Sequence, residues 1–90
     1  MSSNHYEKLR EQLLATSKWP LEYMFKFIVP NIEGRVEAVA EQMPSHGKIS
    51  YKHTASLKFV SITCVAVMET VDQILDVTKK ATAVEGVIVL

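Results

Sequence analysis

Hydrophobic and polar positions alternate through residues 59–67, which read FVSITCVAV. One set of alternate positions is wholly apolar: Val60, Ile62, Cys64 and Ala66. The other set mixes polar and apolar side chains: Phe59, Ser61, Thr63, Val65 and Val67. Alternation predicts a β-strand, and a strand with one buried face usually has a polar second face. The mixed second set therefore predicts a central strand whose second face also makes contacts.

Three further segments have strand patterns: LEYMFKFIV (21–29), KISYKHT (48–54) and VEGVIVL (84–90). The first two alternate along their length, and the third is rich in β-branched residues. In the first segment, one face carries Tyr23, Phe25, Phe27 and Val29, and the other carries Met24, Lys26 and Ile28. We expect residues 48–54 and 59–67 to pair as a hairpin, because the segment that connects them is short.

Apolar residues recur at helical spacing in three other segments. These segments are residues 4–15, a stretch that ends near Gln42, and residues 71–80. Asn31 follows the first predicted strand and is a residue type that often caps helices. The second helix is therefore expected to begin at Asn31.

The predicted elements follow the order helix–β–α–β–β–α–β. The last six form the split βαβ, or ferredoxin-like, arrangement. Right-handed crossovers place both of its helices on one face of a four-stranded antiparallel sheet. The sequence therefore predicts an α+β ferredoxin-like βαββαβ sandwich over residues 19–90, after an N-terminal helical extension over residues 1–18.

The sheet face without these helices is predicted to be semi-apolar. It would present Met24, Lys26, Ile28, Ser61, Thr63 and Val65. A face of this composition is usually a contact surface, and either the N-terminal helix or a second subunit would cover it. The last strand, with Val87 and Val89, carries one charge, Glu85, and uncharged edges need a partner or a cover. We therefore expect interfaces at these positions and a homodimer.

The second predicted strand is also basic. His46, Lys48 and Lys52 occupy alternate positions, so they share one face. His53 and Lys58 lie near the end of the hairpin. This pattern predicts either a patch that binds an anion or an edge strand whose lysines prevent pairing with another sheet. The second interpretation is favoured, since such lysines are a common feature of edge strands.

Three short motifs occur in order along the chain: Trp19-Pro20 with FKFI (25–28), then VSIT (60–63), then VIVL (87–90). Together they resemble the YbeD-like proteins, a bacterial family known as domain of unknown function 493, over residues 19–90. The family usually has a glycine soon after the first strand, whereas Gly34 comes later here. The resemblance implies a ferredoxin-like fold similar to ACT regulatory domains. No activity is established for the family, and a regulatory or small-molecule-sensing role is inferred by analogy of fold.

We therefore expect a non-enzymatic, ACT-like regulatory or small-molecule-sensing domain. Its ligand would lie at a subunit interface or near Pro30, Asn31 and Gly34, because a helix N-terminus offers free N–H groups to a carboxylate. The alternative is a protein–protein interaction module that acts through the open sheet face or the C-terminal edge strand.

Candidate catalytic chemistry is sparse. The sequence has no glycine-rich phosphate loop, and His46 and His53 would lie on opposite faces of a strand. A single cysteine, Cys64, excludes a Cys/His zinc pattern. The sequence therefore predicts no catalytic residues, no metal, no cofactor and no enzymatic activity.

Nucleic-acid, membrane and secretory roles are not expected either. The formal net charge is zero, and positions 24, 26, 61, 63 and 65 offer no ring on which a base could stack. The first ten residues lack the apolar core of a signal peptide, and no run is long enough to span a bilayer. Cys64 is expected to be a buried hydrophobe in a cytoplasmic protein.

Overall fold

The computed structural model describes residues 2–90, with the side chains of residues 6–15 and 17–90. The helices are α1 (Ser2–Thr16), α2 (Arg35–Ala40) and α3 (Val71–Thr82). The strands are β1 (Leu21–Pro30), β2 (Lys48–His53), β3 (Phe59–Met68) and β4 (Ile88–Val89). Within residues 2–90, no helix combines the length and the hydrophobicity that a membrane span requires.

The four strands form one antiparallel sheet in the order β2-β3-β1-β4. This order, with the first and third strands in the centre, is that of the ferredoxin-like arrangement. The predicted α+β fold is therefore confirmed. The long β1–β3 ladder runs from the pair Leu21–Met68 to the pair Pro30–Phe59, so these two strands form the structural centre.

The core lies between the sheet and helices α2 and α3. One face of β1 and β3 is buried: Phe25, Phe27, Val29, Val60, Ile62, Cys64, Ala66 and Met68. Helix α3 buries Ile74 and Ala81 against this layer. The rings of Tyr23 and Phe25 meet edge to face with centroids 4.8 Å apart. The assignment of alternate positions to a helix-facing side is therefore confirmed.

Helix α2 begins later than the sequence predicts. Gly34 precedes it with φ of 86°, a left-handed conformation that glycine adopts without steric cost. Asn31 does not cap the helix. Its side-chain amide donates a hydrogen bond of 2.9 Å to the carbonyl oxygen of Leu57. The predicted start at Asn31 is therefore wrong, and α2 has only six residues.

The last strand is shorter than predicted. In place of a strand over residues 84–90, the N–H of Val87 donates to the carbonyl of Val84 at 3.3 Å, and Gly86 follows a left-handed path with φ of 83°. Val87 is partly buried against the core. Pairing with β1 begins at Ile88, so the predicted edge position of Val87 is wrong.

Helix α1 packs against α3 rather than on the open sheet face. The hydroxyls of Tyr6 and Thr82 lie 3.1 Å apart, and the Arg10 guanidinium donates to the carboxylate of Asp72. Lys79 places its Nζ 5.2 Å from the centroid of the Tyr6 ring. The alternative in which residues 4–15 cover the open face is therefore wrong.

Candidate functional site

A cleft forms on the helix-facing side of the sheet because α2 is short. Six residues span about 9 Å, so the helix leaves the neighbouring part of β2 uncovered. Ile49 and Tyr51 pair with the buried residues Cys64 and Ile62 but remain 39% and 51% exposed. The gap between β2 and the segment that leads into α2 is a candidate binding cleft.

The cleft has a volume of about 420 Å³. It is lined by Asn31, Ile32, Glu33, Val36, Glu37, Tyr51, His53 and Val60. Of the three residues that the sequence suggested for a ligand site, Asn31 lines the cleft. Pro30 instead packs beside Gly86, where an added Cβ atom would lie 2.7 Å from the proline Cγ. Gly34 sets the start of α2.

Two carboxylates, those of Glu33 and Glu37, line the cleft together with the imidazole of His53. Glu33 and Glu37 form no ion pair among the described residues, whereas nearby Arg35 is bound to Glu85 at 2.7 Å. Val36 and Val60 contribute an apolar wall. Unpaired carboxylates beside apolar surface favour a ligand that carries a positive charge. The expectation that a carboxylate binds at the start of α2 stays a prediction.

Tyr51 and His53 reach the cleft from β2. Both alternate with the lysines of that strand, so they lie on its helix-facing side. The sequence placed His53, with Lys58, near a possible anion patch at the hairpin end, and it gave Tyr51 no site. The alternation in KISYKH (48–53) is the sequence signal that puts Tyr51 and His53 on the opposite face of β2 from Lys48 and Lys52.

The open face is the second candidate surface, and it lies on the other side of the sheet. Its strand positions place Lys26 opposite Thr63, and Thr63 opposite Ser50. Met24, in the middle part of this face, has 59% of its surface exposed. The sequence correctly grouped six residues here: Met24, Lys26, Ile28, Ser61, Thr63 and Val65.

Other residues depart from the predicted grouping. Val89 pairs with Phe27, so its side chain lies on the helix-facing side. Phe59 pairs with Pro30 and is 36% exposed, which places one ring at the end of the open face. His46 precedes β2, and its Nε2–H donates to the carbonyl of Val67 at 2.9 Å. The predicted group of His46, Lys48 and Lys52 therefore loses His46. Lys26 joins the two lysines, because it lies on the same face of the sheet.

Neither surface contains an activated nucleophile. Cys64 is fully buried, and this burial raises the pKa of its thiol. A thiol of raised pKa forms little of the reactive thiolate. Among the described residues, no group of three or more His, Cys, Asp or Glu side chains is placed to hold a metal ion.

A third depression, of about 320 Å³, lies between α1 and α3. Its charged lining includes Arg10 and Asp72, which bind each other, and Lys79, which lies over the ring of Tyr6. These groups are engaged in holding α1 on α3. The depression is therefore a helix–helix junction.

Comparison of the chain with protein-family models, with curated proteins and with solved structures gives no match. The resemblance to the YbeD-like family accordingly stays a prediction.

Proposed function

We propose that this protein is a non-enzymatic, ACT-like regulatory domain that senses a small molecule in the cytoplasm. The observation that carries the proposal is the cleft of about 420 Å³ between β2 and the start of α2. A concave site with apolar walls and a few converging polar groups is the usual form of a small-molecule site.

The ligand class follows from the lining. Glu33 and Glu37 supply negative charge, and Val36 and Val60 supply apolar contact. The Asn31 amide is held by the carbonyl of Leu57, which leaves its side-chain oxygen as an acceptor. These groups fit a compound with a primary ammonium group and an apolar body.

A matched pair of probes tests this class. Phenethylamine carries an ammonium group on an apolar body, and phenylacetate carries a carboxylate on a similar one. Titration of the ¹⁵N-labelled protein with each probe should give saturable shifts near Asn31 and Tyr51 with the amine alone. Equal binding of phenylacetate, or no saturable shift with either probe, would overturn the proposed ligand class.

Variants test the two carboxylates. Glu33→Gln with Glu37→Gln should weaken phenethylamine binding by about tenfold, because each exposed carboxylate contributes about 0.7 kcal/mol to a charge contact and about 1.4 kcal/mol is tenfold. Glu41→Gln is the matched control, because Glu41 lies just after α2 and outside the cleft lining. Equal weakening in the control would show that the cleft is not the binding site.

A second candidate function, protein association through the C-terminal edge, rests on β4. Ile88 and Val89 pair with β1 on one side and are 56% and 36% exposed. An edge without charge readily adds a strand from another chain. Antiparallel pairing of β4 with its counterpart in a second copy would give the expected homodimer and a continuous sheet.

Light scattering on a gel-filtration column, across a dilution series, tests the dimer. The wild type should have the mass of a dimer, and Val89→Lys should shift it to a monomer. Leu14→Lys is the matched control, since Leu14 is 56% exposed on α1 and away from the edge. A wild-type monomer at every concentration would rule out the homodimer.

A further inference from the structure

The open face carries an unneutralised cluster of lysines. Lys48 and Lys52 flank Ser50 on β2, and Lys26 lies on the same cross-strand row as Ser50. Standard strand spacings place the three lysines about 12 Å apart. They form no ion pair among the described residues. The acidic strand residue of this face, Glu22, lies opposite Val67 near the end of the ladder, about 12 Å from Lys48 on the same spacings, and forms no ion pair with it.

Protection of a sheet edge explains only part of this cluster. Lys48 and Lys52 lie on β2, an edge strand, where lysines deter pairing. Lys26 lies on β1, which is paired on both sides, so it protects no edge. Its exposure in the middle of the face points to a binding role for the charge.

An apolar zone adjoins the lysines. Ile88 pairs with Ile28, and Met24 pairs with Val65. Ile88 and Met24 are 56% and 59% exposed. The open face therefore has a lysine zone, Lys48 and Lys52 on β2 with Lys26 on β1, and an apolar zone, Met24 and Ile28 on either side of Lys26 with Ile88 on β4. A partner that matches both zones must be acidic on one side and apolar on the other.

We propose that the open face binds an acidic amphipathic helix of another protein. The four strand axes span about 14 Å, and a helix with its side chains is about 10–12 Å wide, so one helix covers the face. Its apolar stripe would lie on Met24 and Ile88, and its acidic side on the lysine zone. This surface lies on the opposite side of the sheet from the ligand cleft, so it stands independently of the proposed sensing role.

A second copy of this chain is a poorer match to the face. Two-fold pairing of the face would bury three lysines from each copy with one strand carboxylate, Glu22, from each, and buried charges without a partner are costly. The chain's own α1 is not acidic, because Lys8 and Arg10 balance Glu7 and Glu11. RNA is disfavoured because the face presents one exposed ring, Phe59, at its end, whereas base recognition on such sheets uses several.

A designed peptide tests the inference directly. The probe is a helix of about 18 residues, or about 27 Å, with leucines on one side and glutamates on the other. Titration of the ¹⁵N-labelled protein should give saturable shifts at Lys26, Thr63 and Val65, with a Kd below about 1 mM. Lys26→Glu with Lys52→Glu should weaken binding at least about tenfold, and added salt should weaken the wild-type complex.

Matched controls separate this inference from general electrostatic attraction. Lys8→Glu with Lys18→Glu makes the same charge change away from the sheet and should leave the Kd within about twofold. If the glutamate variant loses its dispersed spectrum, Lys26→Gln with Lys52→Gln replaces it. Absence of saturable shifts, equal weakening in the control, or equal binding of a lysine-for-glutamate peptide would overturn the proposal. Tighter binding of an oligouridylate or of anionic lipid vesicles at these lysines would also overturn it.

Discussion

Gly47 lies so close to Cys64 that a Cβ atom at position 47 would be 2.6 Å from the cysteine sulfur. The same atom would be 3.0 Å from the Cβ of Ala66. Both neighbours are buried in the core layer of β3, where side chains have little room to shift. The turn before β2 can approach the sheet this closely because residue 47 has no side chain.

Gly47→Ala is therefore expected to lower the free energy of unfolding by about 1–3 kcal/mol, the usual cost of overpacking. Urea unfolding measures the change. Ser45→Ala, at an exposed position of the same turn, is the control and should change the free energy by less than about 0.5 kcal/mol. In a Cys64→Ala background the cost of Gly47→Ala should fall, because the closest atom is gone. An unchanged cost there would show that the sulfur contact is not its cause.

The alternation of apolar positions made most of this fold predictable. A period of two predicts the buried residues of β3, from Val60 to Ala66. It also predicts the buried residues of β1 that pair with them. The start of α2 did not follow, because it depends on a tertiary contact. Asn31 binds the carbonyl of Leu57, 26 residues away, and this bond competes with its local capping role.

The two candidate surfaces differ in how far the sequence predicts them. The open face depends only on alternation and register, so Lys26 and Thr63 can be grouped from the sequence alone. The cleft depends on where a helix stops short of a strand. Tyr51 and His53 line it because α2 has six residues, and helix ends are poorly fixed by local sequence.

Stability should fall at alkaline pH because one acid, Cys64, is buried and another, Tyr23, is half-buried. Burial raises the pKa of the Cys64 thiol above its ordinary value of 9.0 and raises the pKa of the Tyr23 hydroxyl above 10.0. The unfolded chain then loses these protons at lower pH than the folded chain does. The contribution to stability is therefore fully present below about pH 9 and is lost as pH rises through the folded-state values.

Urea unfolding at a series of pH values between 7 and about 11 measures this dependence. A variant with Cys64→Ala and Tyr23→Phe should show a shallower alkaline decline than the wild type, although its stability at neutral pH is lower. An identical alkaline slope in both proteins would show that these two groups are not responsible.

The N-terminus of α3 depends on a side-chain cap. The N–H of Gln73 donates to Oγ1 of Thr70 at 3.2 Å, and the Gln73 side chain accepts from the N–H of Glu69 at 3.1 Å. Thr70→Ala should lower the free energy of unfolding by about 1 kcal/mol. Thr70→Ser keeps the hydroxyl and should retain most of the stability. A lower urea midpoint with an unchanged slope would confirm the loss, and equal effects of both substitutions would contradict the capping role.

Helix α1 is expected to be dispensable for the fold. Its ion pair joins side chains that are 38% and 72% exposed, those of Arg10 and Asp72, and exposed pairs contribute at most about 1 kcal/mol. Leu13 adds a partly buried apolar contact with the core. The fragment of residues 19–90 should therefore keep the four-stranded sheet with a lower unfolding midpoint. Circular dichroism and a ¹⁵N–¹H spectrum of the fragment measure both properties. A spectrum without dispersion would show that α1 is an integral part of the domain, and the boundary at residue 19 would then be wrong.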